Sequence, residues 1–248
     1  NAATKAFSEG LNLFWKNNRL LHSHRAGSTR HEGTADDYAS LIAAALALHA
    51  LTGEAAYITK AQELTAALEE NHWDVAEGGF YHASQKHTTL PIKSRTIEDD
   101  ATPNANSVMI RNYNNLYHLT GNESFKIKAE KITGAFAAAA KSNPFAAPGL
   151  LKNVLLLQDT IQLVLTDDTN PATNEMLLLA LKHTGLDVTI HVTGTNPSLP
   201  ENHPAYGKTT NNSKPTLYVC RGMTCANPAT NEAETLAALR LLRIANQT

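Results

Sequence analysis

The sequence lacks the features that mark secreted, membrane-spanning or nucleic-acid-binding proteins. Only two of its 248 residues are cysteine, and the 21 basic and 23 acidic residues nearly balance. Balanced charge disfavours nucleic acid and anionic membranes as partners. No apolar run approaches the roughly 20 residues that cross a bilayer, and the first residues lack the layout of a signal peptide. We expect a cytoplasmic chain that binds a small molecule and, since it begins with Asn1, a fragment of a longer protein.

The two cysteines and the glycines form no cofactor motif. Cys220 and Cys225 have neither C-x-x-C spacing nor the further Cys/His pair of a zinc site. Structural or incidental thiols are the favoured interpretation, with a local disulfide or a redox role as alternatives. No loop contains a G-x-G-x-x-G or a Walker lysine, so no nucleotide cofactor is expected.

An internal repeat predicts the architecture of the first half. "LHALTGEAAYITKAQEL" from Leu48 matches "LYHLTGNESFKIKAEKI" from Leu116, and "TADDYASL" from Thr34 lies as far before the first copy as "TPNANSVM" from Thr102 lies before the second. Each copy reads as an apolar-periodic helix that closes at Leu-Thr-Gly, followed by a more polar amphipathic helix. Residues 3–18 read as a further outer helix. The pattern predicts parallel inner helices with outer helices between them.

The remaining segments differ from the repeat. About 30 residues between the two copies, from "NHWDVAEGGFYHA" to "RTIEDD", have no helical period, and a loop of that length is usually functional or disordered. After Pro148, "IQLVLTDD", "PATNEMLLLALKHTG" and "DVTIHVTG" read as strand, helix and strand, and a third strand, "PTLYVCRG", and a last helix at about 230–245 follow. We therefore predict a helical part at 1–158 and a small α/β part at 159–248.

Four motifs support a family resemblance over almost the whole chain. "TRHEGTADDYASLIAAALALHALTG", "GGFYHAS", "SRTIEDDATPNANSV" and "LYVCRGMTCANP" together resemble the YyaL and spermatogenesis-associated protein 20-like family. The resemblance implies a mainly α fold, an (α/α) toroid of helical hairpins of the six-hairpin-glycosidase-like type, related to N-acylglucosamine 2-epimerases. It also implies a thioredoxin-like domain N-terminal to the toroid in the full-length protein, as a partner of this part. It implies no mechanism, because one fold hosts many functions.

Acidic residues gather at the predicted starts of both inner helices. Asp36 and Asp37 can cap a helix or line a concave site, since parallel inner helices open on one mouth. Asp99 and Asp100 precede the second inner helix. The dipole of one helix cannot stabilise all three adjacent carboxylates, Glu98, Asp99 and Asp100, equally well. We predict these four aspartates as catalytic candidates, one donating a proton to a leaving oxygen and another acting as base or nucleophile.

Other polar and aromatic residues are candidates for binding the substrate. Arg95 is expected to pair with one of the acids Glu98, Asp99 or Asp100 and to line the pocket with it. Aromatic rings can stack on a sugar or simply plug the core, and amides or hydroxyls near a helix start can face the mouth or bond locally. The predicted binding set is Tyr38, Trp73, Phe80, Tyr81, Arg95, Asn106 and Ser107.

The histidines before the first inner helix do not indicate a metal site. His22, His24 and His31 occur in "LLHSHRAGSTRHEG", but no nearby acid or cysteine completes a ligand set. No metal is therefore predicted.

Two functions fit the sequence. The first is a carbohydrate-active or sugar-binding toroid, a glycoside hydrolase or an epimerase-like enzyme with its site at the inner-helix N-termini. The second is a non-catalytic interaction platform for the thioredoxin-like domain or another protein. An epimerase would require a base such as histidine near neutral pH, and the sequence does not single one out.

Overall fold

The structure is a computed structural model that describes residues 2–86, 91–166, 171, 174–185, 187–193, 199, 201–203 and 206–242. Its helices are α1 (Ala2–Phe14), α2 (Ala35–Thr52), α3 (Ala55–His72), α4 (Ala105–Thr120), α5 (Glu123–Ser142), α6 (Pro148–Gln158), α7 (Glu175–Thr184) and α8 (Glu232–Leu241), with a 3-10 turn at Pro144–Ala146. Its strands are β1 (Trp15–Lys16), β2 (Arg19–Arg25), β3 (Ser28–Glu32), β4 (Ile161–Thr166), β5 (Thr189–Thr193), β6 (Thr216–Arg221) and β7 (Thr224–Cys225). None of the described helices combines the length and apolarity needed to cross a membrane.

The two predicted helical hairpins are present. Helices α2 and α3 form the first, and α4 and α5 form the second. Gly53 and Gly121 close the inner helices with φ of 75° and 69°, the left-handed conformation that glycine adopts without a Cβ clash. Their backbone N–H groups donate to His49 and Tyr117. The prediction of a mainly α, hairpin-built fold with a small C-terminal α/β element is confirmed.

The main core lies where the inner helices meet their neighbours. α2 packs on α3 and α4, and α4 also packs on α5 and α6. α2 is apolar on nearly all sides, and its buried residues include Ala39, Ile42 and Ala45, each with 0% exposure. Short alanine side chains let the neighbouring helices approach closely. A second apolar cluster lies between the C-terminal sheet and helices α7 and α8.

Two elements of the helical part were not expected. Residues 15–32 form a three-stranded antiparallel sheet in the order β1-β2-β3, and the first helix ends at Phe14 rather than near residue 18. α6 provides a third inner helix, and its N-terminus has proline at the first position, where the missing N–H costs nothing. In the long loop between the hairpins, Trp73 and Phe80 form an isolated antiparallel bridge.

The C-terminal sheet has the predicted β-α-β unit. Its order is β5-β4-β6-β7, with β4 parallel to β5 and antiparallel to β6. Cys220 and Cys225 face each other across β6 and β7 and form a disulfide. The local disulfide, an alternative at the level of sequence, is thus the arrangement in the structure. The edge strand β5 packs against α2 and α4, which joins the α/β element to the inner helices.

Candidate functional site

The N-termini of α2, α4 and α6 lie side by side and form the mouth of the inner helices. Asp36, in the first turn of α2, accepts a hydrogen bond from Ala105 N at the start of α4, with an Oδ1–N distance of 2.5 Å. Asp99 accepts one from Gly149 N at the start of α6, at 2.7 Å. Each carboxylate therefore compensates the positive end of a neighbouring helix. The expectation that the inner helices open on one mouth agrees with these contacts.

Asp37 caps its own helix and holds a histidine. Its Oδ2 accepts hydrogen bonds from Thr34 N at 2.7 Å and Thr34 Oγ1 at 2.9 Å, while Thr34 Oγ1 accepts from Asp37 N, which completes a capping box. The same Oδ2 lies 2.7 Å from Nδ1 of His22 on β2. The small N-terminal sheet thus brings an imidazole to the first turn of α2.

Asp36 holds a second histidine. While its Oδ1 caps α4, its Oδ2 lies 3.0 Å from Nδ1 of His82 in the long loop. The loop is anchored there because Ala35 N donates to the His82 carbonyl and His82 N donates to the Ser94 carbonyl. The His82 side chain is about half exposed, at 48%. Two consecutive aspartates at the mouth, Asp36 and Asp37, therefore each contact a histidine side chain.

These aspartate–histidine pairs have the geometry of acid–base groups. A carboxylate that accepts from Nδ1 fixes the tautomer in which Nε2 takes up a proton, and it stabilises the imidazolium that results. The side chain of His22 is 51% exposed, so both rings are open to a ligand at the mouth. Sequence analysis missed His82 altogether and considered His22 only as a metal ligand. No local pattern could have paired His82 with Asp36, because the long loop creates the contact.

The second acidic group has a mainly architectural position. Asp99 Oδ1 accepts from Asn104 N at 3.1 Å and from Asn104 Nδ2 at 2.9 Å, in addition to its bond with Gly149. Asp99 thereby ties α4 to α6. Asp100 is exposed, and the structure records no hydrogen bond or ion pair of its side chain. The catalytic roles of the four aspartates stay predictions, but three of them are hydrogen-bonded to helix ends.

Arg95 does not pair with any of the acids that follow it. Its Nη1 lies 2.7 Å from Oδ2 of Asp74, and its guanidinium stands over the rings of Tyr81 and Phe136. Burial raises the pKa of Asp74, but hydrogen bonds from Glu77 N, Tyr81 and Ala76 N and the Arg95 charge outweigh it, so the pKa is lowered. The expected pairing was therefore wrong. Arg95 fastens the long loop to the buried Asp74 just after α3 and, through Phe136, to α5.

Asn106 and Ser107 are buried within the structure beneath the mouth. Asn106 Oδ1 accepts from Phe80 N at 2.7 Å, and its Nδ2 donates to the carbonyls of Phe80 and Thr96 at 3.1 and 2.9 Å. Ser107 is 0% exposed and accepts from Asn104 Nδ2 at 2.8 Å. Both side chains are satisfied by protein groups, so neither is available to a ligand in this arrangement.

The four aromatic candidates are dispersed rather than gathered around the mouth. Tyr38 and Phe80 are 2% and 1% exposed, and Tyr38 Oη accepts from Leu20 N at 2.9 Å. Burial raises the pKa of Tyr38. Trp73 meets Phe80 edge to face at 5.1 Å, and Tyr81 donates to Asp74 at 2.8 Å. Only Trp73 and Tyr81 of this set keep partly exposed rings.

The part of the chain that the structure describes contains no group of three or more His, Cys, Asp or Glu side chains arranged to hold a metal ion. His24 donates or accepts at Thr29 Oγ1, 2.8 Å away, and His31 is exposed.

Comparisons with known proteins give distant relatives. Human spermatogenesis-associated protein 20 is 25% identical over 228 residues, covering 87% of this chain and 29% of that protein. The rat protein of the same name is 28% identical over 148 residues, covering 59% of this chain and 19% of the rat protein. An uncharacterised Caenorhabditis elegans protein is 28% identical over 213 residues, covering 82% of this chain and 28% of that protein. The chain thus spans less than a third of the length of these relatives.

Among solved structures, a GH76 α-mannanase from Bacteroides thetaiotaomicron has a TM-score of 0.48 at 13% identity, covering 61% of this chain and 43% of that one. No protein-family model matches the chain. The resemblance predicted from the four sequence motifs is confirmed by the named relatives. The chain is thus similar to the spermatogenesis-associated protein 20 proteins over 59% to 87% of its length.

Proposed function

We propose that this protein acts by acid–base catalysis on a sugar-like small molecule at the mouth of its inner helices. The observation that carries the proposal is the pair of contacts Asp36–His82 and Asp37–His22, with Nδ1–Oδ2 distances of 3.0 and 2.7 Å. The sugar-like substrate class rests on the family resemblance. The residues themselves support proton transfer at a carbon or oxygen that reaches the mouth.

The arrangement favours an epimerase-like proton transfer over glycoside hydrolysis. Hydrolysis by two carboxylates requires one to be protonated and the other to be free for attack or for activating water. The oxygens of Asp36, Asp37 and Asp99 are instead held in place by hydrogen bonds from backbone N–H groups. Histidines oriented by these carboxylates can take a proton from a carbon next to a carbonyl and return it.

Each pair has a definite role in such a reaction. His82 takes the substrate proton on Nε2, and Asp36 stabilises the resulting positive charge through its contact with Nδ1. His22, held by Asp37, is the second group that gives or takes a proton. Because the aspartates are consecutive in the first turn of α2, both imidazoles contact the start of the same helix.

The test is proton exchange measured by NMR in D2O. The full-length natural protein is incubated with hexoses, N-acetylhexosamines and their phosphates, and deuterium incorporation next to the carbonyl carbon is followed. His82→Gln and His22→Gln are expected to lower the exchange rate by about 100-fold or more, as loss of an acid–base group does. His24→Gln is the matched control, because His24 lies on the same strand but contacts Thr29 instead of a carboxylate.

Two results would count against this function. One is that no sugar in the panel exchanges or binds at millimolar concentration. The other is exchange that survives in both glutamine variants at the rate of the control. Folding of each variant is checked by its melting temperature, so that loss of exchange is not confused with loss of structure.

A second candidate function is an interaction platform, and one surface favours it. Phe145 is 94% exposed, and Leu155 and Leu151 on α6 are 65% and 39% exposed. Exposed apolar side chains suit contact with another part of a longer protein, such as a thioredoxin-like domain. If full-length protein carrying Phe145→Ser and Leu155→Ser melts at the same temperature as the unaltered protein, this face makes no such contact.

A further inference from the structure

A large cavity lies between the inner helices and the C-terminal α/β element. Its volume is about 780 Å³, within the usual range for small-molecule sites. Along α2 it follows the stripe of Ser40, Ala43, Ala47 and Ala50, at alternating spacings of four and three residues. Asp36 lies one turn before Ser40 on the same stripe. The cavity therefore starts beneath the mouth and runs toward β5.

The cavity wall is mostly aliphatic. α2 contributes alanine and leucine side chains, and α7 and β5 contribute the facing wall. Across the cavity from α2, its apolar lining residues include Val108, Leu119, Leu177, Leu178, Leu181, Val188 and Ile190. Ala47 is exposed, and Leu178 is 43% exposed, so the apolar surface is open to solvent. Exposed apolar surface in a concave site favours an apolar occupant.

Three asparagine side chains of the wall each make a hydrogen bond with a protein atom. Asn112 Nδ2 donates to the Ala39 carbonyl at 2.9 Å, and Asn153 Nδ2 donates to the Ser107 carbonyl at 2.6 Å. Asn115 Oδ1 accepts from Thr189 Oγ1 at 2.8 Å. The described lining residues include no aromatic ring that could stack on a sugar. An alkyl chain needs no hydrogen-bond partners from such a wall.

A cationic end completes the cavity. Lys152 on α6 lines it and places Nζ 2.8 Å from Asp187 Oδ2, and Arg111 on α4 lies 3.5 Å from Asp187 Oδ1. The Lys152 side chain is 56% exposed, so it can turn to an anion in the cavity without crossing a buried region. A carboxylate already occupies this position in the form of Asp187. The same chemistry suits a carboxylate group of a ligand.

We propose that the cavity binds an unbranched aliphatic carboxylate. The alkyl chain lies along the alanine stripe of α2 and against the leucines of α7, and the carboxylate meets Lys152. This binding site is separate from the proton-transfer chemistry at the mouth and does not depend on it. The aliphatic wall indicates an alkyl chain, and the lysine indicates a carboxylate at its end.

Isothermal titration of the full-length protein with decanoate, below its micelle concentration, tests the proposal. We expect one molecule bound per chain. Ala47→Phe, which fills the cavity, is expected to weaken binding by about ten-fold or more. Ala56→Phe, on the exposed side of α3, is the matched control and is expected to leave binding unchanged. Melting temperatures confirm that both variants are folded.

The charged end is tested by a second comparison. Lys152→Met is expected to weaken decanoate binding but not binding of decan-1-ol, whereas Lys141→Met, an exposed lysine of α5, changes neither. His82→Gln is expected to leave decanoate binding intact, which separates this site from the proposed reaction. Absence of one-to-one binding, equal binding to the Ala47→Phe variant, or a cavity covered by another segment of the full-length protein would overturn the proposal.

Discussion

At the scale of single residues, the two acids Asp99 and Asp100 differ sharply although they are neighbours in sequence. Asp99 accepts hydrogen bonds from Asn104 and Gly149 and so joins the starts of α4 and α6. Asp100 is exposed, and its side chain makes no hydrogen bond or ion pair within the part of the chain that the structure describes. Adjacent positions with such different surroundings form a natural matched pair for mutation.

We predict that Asp99→Ala lowers the free energy of unfolding by about 1–3 kcal/mol, because backbone N–H groups at two helix starts lose their acceptor. Asp100→Ala is expected to change it by less than about 0.5 kcal/mol, as is usual for an exposed residue. Urea unfolding of both variants measures the difference. Equal losses in the two variants would show that Asp99 does not hold the helices together.

At the mouth, the positions of the aspartates could be predicted from the sequence, but their histidine partners could not. Asp36 and Asp37 were identified as candidates because the repeat places them at a helix start, and that position is where they lie. Their histidine partners were not predicted. His82 reaches Asp36 through the conformation of an irregular loop, and His22 reaches Asp37 through a sheet that has no clear alternation in its sequence. Contacts of this kind depend on tertiary structure and leave no local signal.

At the scale of helices and strands, repeated local signals allowed accurate prediction. The Leu-Thr-Gly sequence marks the ends of α2 and α4, because glycine takes the left-handed conformation there. The runs rich in β-branched residues correctly predicted strands β4 and β5. α6 follows a proline-rich stretch and was missed, although α7 and α8, each one residue shorter, were predicted. Elements with a clear local pattern were thus predicted even where they are short.

Alanine substitutions at two glycines are expected to change the free energy of unfolding in opposite directions, because the two positions differ in backbone conformation and packing. Gly53 has φ of +75°, and a Cβ there would stand 3.0 Å from Val192 Cγ1 of β5. Gly53→Ala is therefore expected to lower the free energy of unfolding by about 1–3 kcal/mol. Gly134 lies within α5 with open space around it, so Gly134→Ala is expected to raise stability by about 0.5–1 kcal/mol.

Thermal and urea unfolding of the two alanine variants check these opposite signs. A stabilised Gly53→Ala variant would mean that α2 and β5 do not approach each other as described. Since β5 joins the α/β element to α2, this measurement also reports on the contact between the two parts of the chain.

At the scale of the whole molecule, buried histidines lie where the helices meet the α/β element. The rings of His49 and His191 are 6.0 Å apart, and those of His191 and His203 are 6.3 Å apart. Burial lowers the pKa of His191 to about 3 and that of His203 to about 4, with neighbouring positive charge adding to the effect. Burial likewise lowers the pKa of His118 to about 4. These side chains are therefore neutral in the folded protein at neutral pH.

Acid is expected to weaken the molecule at this junction. The pKa of an unfolded histidine is about 6.5, so below that pH the unfolded chain binds more protons than the folded chain, and stability falls as the pH falls from about 6.5 toward about 4. Above pH 6.5 both states are neutral, and these histidines add no pH dependence. We predict a fall of several degrees in Tm between pH 7 and pH 5, and a smaller fall in His191→Asn because one of the contributing groups is removed. His24→Gln, which alters an exposed ring, should follow the unaltered protein. If all three proteins lose stability in parallel, other groups cause the acid sensitivity, and the histidine junction does not control it.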